Sequence, residues 1–324
     1  MKDLRLLGVG AVAALVLFSP LVLREGEWHI SIAEIISPPS KVLFVGDIML
    51  DRSVARHARN VGGEKLFDDV KNIFAEHDVV VGNLEGTITD NLSVSEASST
   101  ILRFTFDPSL AGVLHDAGVT TVSLANNHAL DFGEFGFDGT RHYLNEVGIA
   151  AFGSPYNEQL ATAATVNDKE LCFVGYHELY QRDPSTVVQK ILEINSTCDQ
   201  TVVFAHWGEE YVSEPSRSQQ ELARLFVDTG ADLVVGAHPH VVQTLEVYNN
   251  VAIFYSLGNF IFDQGWRPEV RRGLMVSVEF GDKETTFNLL PVNSYLEATP
   301  ADVEVSAAVL ADLGVDASTF VLSR

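Results

Sequence analysis

Short apolar runs, each stopping at a glycine, an amide or a charged residue, recur along the chain at 41–45, 78–81, 119–124, 201–205 and 233–235. Runs this short, rich in Val and bounded by turn residues, predict strands covered on both faces. Stretches of helical spacing lie between them: 67–74, a helix opened by Asp107-Pro108 and ending near Gly118, 134–147, 184–194 and 219–228. In 134–147 the apolar positions are Phe137, Tyr143 and Leu144; in 219–228 they are Leu222, Leu225 and Phe226. Alternating strand and helix predicts an α/β fold whose parallel strands end at a common edge. Residues 163–166 and 170–176 flank Asn167-Asp168-Lys169 as an antiparallel hairpin, which breaks the alternation and predicts a second sheet. Further hairpins turn at Asn249-Asn250 and Gly281-Asp282-Lys283. Residues 87–105 are polar and serine-rich, and read as a long loop or hairpin close to Glu85.

Chemistry follows the ends of these runs. The first delivers Gly46-Asp47-Ile48-Met49-Leu50-Asp51-Arg52, the second Gly82-Asn83-Leu84-Glu85-Gly86, and the third Ala125-Asn126-Asn127-His128-Ala129-Leu130-Asp131. Later runs deliver His206-Trp207-Gly208-Glu209-Glu210-Tyr211 and Gly236-Ala237-His238-Pro239-His240. Ligands of α/β proteins gather outside the carboxyl ends of strands, and neutral imidazole is the commonest nitrogen ligand for transition metals. Asp47 alone reads equally as a helix N-cap, and any one of these histidines as structural. Their concentration after buried strands points instead to a metal site. His206 and His238 end two strands joined by one crossover helix, which places them at the same edge.

Composition narrows the partners. The chain has 324 residues, 46% of them apolar, which is enough for a substantial core. A formal charge of −23 excludes nucleic-acid backbones as the main partner, because neutralising phosphate needs clustered Lys and Arg. Residues 6–23 form an apolar run behind Lys2 and Arg5, near the minimum for crossing a bilayer. We read 1–24 as a transmembrane anchor or signal segment, 25–40 as a linker, 41–292 as the main domain, and 293–324 as a C-terminal extension packing on it. This places the domain outside the cytoplasm on a single-pass anchor, or secreted if the segment is cleaved. In that setting Cys172 and Cys198 can bond, although Cys172 also fits as a packed thiol.

Together with Tyr255-Ser256-Leu257-Gly258-Asn259-Phe260, the five motifs resemble, in order over residues 41–263, the CapA family of poly-γ-glutamate capsule biosynthesis proteins, within the calcineurin-like metallophosphatase superfamily. The resemblance implies a four-layer α/β/β/α sandwich and one or two divalent transition metals, Mn, Fe or Zn. It implies Asp47, Glu85, Asn127, His206, His238 and His240 as metal ligands, with His128 as proton donor and Asp131 orienting it. Asp51, Arg52, Asn83, Asn126, Glu210, Ser256 and Asn259 would line the site. The superfamily's first aspartate is followed two residues later by a ligating histidine, and here that position is Met49. The expected pairing is then His238 with Glu85, Asn127 and His206, and His240 with the site that lacks a ligand. The implied function is a metal-dependent hydrolase or transferase acting on an anionic polymer or phosphoester beside capsule-synthesis membrane proteins. The alternatives are a non-catalytic accessory subunit that holds or passes the polymer, and an exported binding domain without metal.

Overall fold

The structure is a computed structural model and describes residues 38–98, 100–158 and 160–323. The predicted anchor, 1–24, and the linker up to residue 37 lie outside the described residues. Among the described residues no helix is long and apolar enough to cross a membrane.

Two sheets carry the domain. The nine-stranded sheet runs Glu297–Pro300, Glu284–Tyr295, Arg272–Phe280, Ser40–Ile48, Val79–Leu84, Thr121–Ser123, Ala150–Phe152. Asn259–Ile261 also pairs with Ser40–Ile48, and Thr319–Ser323 with Glu284–Tyr295. The six-stranded sheet runs Leu245–Tyr248, Val251–Phe254, Leu233–Ala237, Gln200–His206, Lys169–His177, Ala161–Val166. Each has a parallel centre: Ser40–Ile48 through Ala150–Phe152 in the first, Lys169–His177 through Val251–Phe254 in the second. Hence the loops after the parallel strands emerge at one edge of each sheet.

Alternation along the strands sorts the core into layers. Leu43, Val45, Val80 and Val122 pack against Val54, Leu110, Leu114, Phe137 and Leu144 of the helices on one side. Their neighbours Val42, Phe44, Val79 and Val81 face the second sheet through Phe173, Val202, Phe204, Leu233 and Val235. Val174, Val203 and Val234 on the far side meet Val187, Ile191, Ala223 and Phe226 of two more helices. The order is helices, sheet, sheet, helices, and the period-two alternation of buried residues is what two covered faces require.

Two backbone approaches need glycine. A Cβ on Gly46 would stand 1.9 Å from the Gly258 carbonyl oxygen, and one on Gly236 1.9 Å from that of Tyr255. No side chain fits there, so the loop at 255–258 lies directly against the ends of the strands that carry Asp47 and His238.

Some local expectations are corrected. Residues 67–74 yield only Lys71–Phe74 as α-helix, after a 3-10 turn at Gly63–Leu66, because Phe67 and Val70 are drawn into the core at the turn. The helix after the first strand is Arg52–Val61, and Asp51 caps it, not Asp47. In Arg217–Thr229 the inward positions are Gln219, Ala223, Phe226 and Val227, and Leu225 is exposed. The loop at 87–105 is closed by Thr87–Ile88 pairing parallel with Thr105–Phe106. At the C-terminal end Val309 and Leu313 are buried in the cluster between the sheets.

Candidate metal centre

Asp47, at the end of Ser40–Ile48, is fully buried. Its carboxylate accepts the Asn83 amide at 2.8 Å and the His238 backbone N–H at 3.3 Å, and lies 3.1 Å from His240 Nδ1. Glu85 is also fully buried. Its Oε2 accepts from Asn83 at 3.1 Å, while Oε1 has no hydrogen-bond partner, with His240 Nε2 at 3.6 Å and His128 Nε2 at 3.9 Å. The Asn83 Nδ2 therefore faces Asp47, Glu85 and, at 3.3 Å, His206 Nδ1, which is three acceptors for two hydrogens. Asn126 fixes it, donating to Asn83 Oδ1 at 3.0 Å and to the Leu84 carbonyl at 2.9 Å.

The second sheet contributes imidazoles. His206 ends Gln200–His206 with Nε2 2.8 Å from Asn127 Oδ1. The His206 and His238 rings are 4.7 Å apart, and those of His238 and His240 5.8 Å. His238 is buried, and its Nδ1 has no hydrogen-bond partner. Both residues flanking Pro239 have positive φ, 96° at His238 and 57° at His240, a conformation held by surrounding contacts at a local energetic cost. Asn259 Oδ1 lies 3.0 Å from His240 Nδ1, and its amide donates to Gln264 and the Val270 carbonyl, so the ring is oriented from behind.

His128 stands at the rim of the cluster. Its Nδ1 donates to Asp131 Oδ2 at 2.7 Å, which leaves Nε2 toward Glu85. The ring stacks on Phe104 at 4.2 Å, and the Phe104 backbone N–H donates to the same Asp131 oxygen at 2.6 Å. The serine-rich loop thus ends against the site. Arg52 is committed to Asp263, donating through Nε at 3.1 Å, with its guanidinium over Phe104 at 5.2 Å. Asp51 accepts the Arg52 and Thr105 backbone N–H groups, and the Ser256 hydroxyl accepts the Gly258 N–H. These three brace the loops around the cluster.

Charge is unevenly distributed. Burial, with the neighbouring Asp47 carboxylate, pushes Glu85 well above the ordinary range, against the pull of His240. Burial holds His206 well below and His238 down to about 3, so both present neutral lone pairs. Burial opposes a charge on His240 too, but the Glu85 and Asp47 carboxylates outweigh it and raise it to about 9. Two groups of ligand atoms fall within 4.8 Å of one another: Asp47, Glu85 and His206, and Glu210, His238 and His240. The two groups overlap in space: His240 Nδ1 also lies 3.1 Å from Asp47, and the His238 ring 4.7 Å from that of His206. The donor set fits a divalent transition metal: mixed carboxylate and neutral imidazole, with a buried carboxylate oxygen and a buried imidazole nitrogen unpaired.

One residue escaped the sequence reading. His177 ends Lys169–His177 opposite His206 in the sheet register, its ring 5.6 Å from that of His206. Its Nδ1 lies 2.9 Å from the Pro155 carbonyl, and its buried Nε2 has no partner. The signal was present: it too follows an apolar run, but that strand read as ending at Tyr176.

Met49 is fully buried within the apolar cluster of the first sheet, with its sulfur accepting the Asp51 N–H at 3.1 Å. It takes no part in either donor group.

Residues 41–264 match the family model described as bacterial capsule synthesis protein PGA_cap. The chain is 34% identical over 280 residues to the PGA biosynthesis protein CapA of Bacillus subtilis, covering 81% of this chain and 73% of that one. It is 31% identical to the capsule biosynthesis protein CapA of Bacillus anthracis, covering 77% and 66%. The chain thus spans about two thirds to three quarters of the length of these relatives. Among solved structures, a putative 5'-nucleotidase from Staphylococcus aureus has a TM-score of 0.46 at 12% identity, over 84% of this chain and 58% of that one. By the family match and by its identity to these relatives, the chain belongs to the PGA_cap family of bacterial capsule synthesis proteins.

Proposed function

We propose that this protein is a metal-dependent hydrolase or transferase of capsule polymer metabolism, acting outside the cytoplasm on an anionic γ-glutamyl polymer or a phosphoester. The observation that carries this reading is Glu85 Oε1: a fully buried carboxylate oxygen without a hydrogen bond, between His240 Nε2 and His128 Nε2. His240, buried yet raised by Glu85 and Asp47, offsets these carboxylates from 3.6 Å without hydrogen-bonding Oε1, and a divalent cation would take over that compensation and pair the oxygen. Bound at these donors, a divalent transition metal, Mn, Fe or Zn, would supply Lewis-acid polarisation of an acyl or phosphoryl oxygen.

The chain's own residues supply the rest. Asp47, Glu85, Asn127, His206, His238 and His240 would hold the ion, with Asn83 and Asn259 orienting them. Asp131 accepts from His128 Nδ1, so Nε2 is the nitrogen that faces the reaction: it takes a proton when the ring is neutral and gives one to the leaving group from the imidazolium. Phe104 on the ring face keeps the imidazole from swinging out and excludes water from that side.

A disulfide between Cys172 and Cys198 supports the extracytoplasmic setting, because such bonds persist in oxidising compartments. The charged amino terminus ahead of the apolar run at 6–23 supports attachment to the membrane. Partners there would be the membrane proteins that synthesise or export the polymer. The test is a turnover screen of the full chain on γ-polyglutamate, phosphomonoesters and phosphodiesters with Mn, Zn or Fe added. Metal-dependent turnover abolished by His128→Ala supports the reading, and no turnover on any substrate rejects it.

A second reading is favoured by Met49, whose burial in the apolar cluster removes the nitrogen donor expected beside Asp47. It is a non-catalytic subunit that holds the anionic polymer. Metal uptake with polymer binding and no turnover would select it.

A further inference from the structure

The loop after His206 brings a carboxylate beside the two histidines of the His-Pro-His loop. We propose that Glu210 is a metal ligand, completing with His238 and His240 a second cation site beside the one built from Asp47, Glu85 and His206. This inference rests on the metal-centre reading above, and it concerns which residues hold the second ion.

Three observations carry it. The ligand atoms of Glu210, His238 and His240 lie within 4.8 Å of one another, as close as those of the buried group. His238 Nδ1 is buried and has no hydrogen-bond partner, so this imidazole keeps a nitrogen unpaired. The third is the path of the backbone that brings Glu210 there. Gly208 and Tyr211 have φ of 80° and 66°, which curls the loop after His206 back over the neighbouring strand end. The Tyr211 N–H donates to the Pro239 carbonyl at 2.7 Å, tying the loop of Glu210 to the loop of the two histidines.

The Tyr211 side chain then locks the arrangement. Its ring lies 5.9 Å from that of His240 and meets Trp266 edge-on at 5.2 Å. Its hydroxyl accepts from Gln264 at 3.1 Å, and its carbonyl from Arg267 at 2.6 Å. A bulky residue at positive φ, pinned at four points, fixes the position of the residue before it. Glu210 is exposed, whereas His238 and His240 are buried, and the Tyr211 hydroxyl also bonds its carboxylate.

A carboxylate beside two imidazoles also shifts the preference of the site, toward ions that accept oxygen donors such as Mn. Asp47 lies 3.1 Å from His240 and Glu85 3.6 Å, so the two groups adjoin through His240.

The test is a Mn titration of the full-length protein, read by calorimetry and by the loss of free-Mn electron paramagnetic resonance signal, with Glu210→Gln and Glu85→Gln as variants. The wild type should take up two ions. Glu210→Gln, a change on the surface, should retain one and bind the other at least ten-fold more weakly, whereas Glu85→Gln should impair the other step. Uptake of fewer than two ions by the wild type, or two unaltered steps in Glu210→Gln, overturns the proposal. Because the readout is binding, loss of the catalytic reading leaves this result standing, and the converse holds for turnover.

Discussion

His128 Nδ1 donates to Asp131 Oδ2 at 2.7 Å, and Phe104 donates its backbone N–H to the same oxygen at 2.6 Å. Two donors on one oxygen fix the carboxylate, the carboxylate fixes the tautomer, and the free Nε2 is turned into the metal cluster. On the substrate identified by the screen, His128→Ala should lower kcat by about 10²–10⁴-fold. Asp131→Asn should lower it by a smaller factor in the same direction. Metal content, measured by mass spectrometry of the purified chain, should stay at the wild-type level in both. Metal loss in either variant would make the pair structural.

The cluster should also be visible in the acid stability of the protein. Burial lowers His177 to about 4 from an ordinary 6.5, so the unfolded chain binds its proton first. The stability it contributes is complete above pH 6.5 and is lost as pH falls toward 4, in total roughly 3 kcal/mol. Urea unfolding of the metal-free protein at pH 7, 6, 5 and 4 should show this loss. His177→Phe should flatten the slope by about one proton. An unchanged slope would mean that His177 takes up its proton in the folded state at an ordinary pH.

The bond between Cys172 and Cys198 closes a separation of 26 residues and ties Lys169–His177 to the turn before Gln200–His206. Closing a loop of this length stabilises by about 3 kcal/mol in the chain-entropy picture. Cys172→Ala combined with Cys198→Ser should therefore lower the urea midpoint by that equivalent, and reductant should have no further effect on the double variant. A double variant as stable as the oxidised wild type would remove the bond from the account.

Gly236→Ala tests the close approach of the loop at 255–258. Its Cβ would stand 1.9 Å from the Tyr255 carbonyl oxygen and 2.6 Å from Trp207 Nε1, and Trp207 donates to that same carbonyl at 2.9 Å. Backbone cannot yield that far without breaking the strand pairing. Destabilisation should reach about 4 kcal/mol or more, read as a fall in Tm or in soluble yield. A Tm within a few degrees of wild type would contradict the geometry.

Much of this was legible in the sequence because strands covered on both faces are written as continuous apolar runs, and the chemistry stands where they stop. Asp47, Glu85, His206 and His238 follow that rule. What the residues do not announce is how the loops then turn. Tyr211, His238 and His240 all adopt positive φ, which is uncommon outside glycine and which the apolar pattern does not place, and these turns bring the loop of Glu210 against that of the two histidines. His177 was hidden for a different reason: its strand does form the hairpin with Ala161–Val166, but its other edge pairs parallel with Gln200–His206, and only that pairing sets His177 beside His206. Leu225 shows the limit of periodicity: Gln219 is buried because it caps the helix with Ser216 and bonds Gln243, while Leu225 is exposed.

The central claim is that the buried carboxylates and imidazoles form a metal centre. It is tested most directly by the metal content of the full-length protein after dialysis against Mn or Zn, for wild type and for His206→Ala with Glu85→Gln. Wild type should carry at least one ion per chain, and the double variant should carry none at Asp47, Glu85 and His206 while remaining folded by circular dichroism. A folded wild-type chain without stoichiometric metal under these conditions would contradict the account.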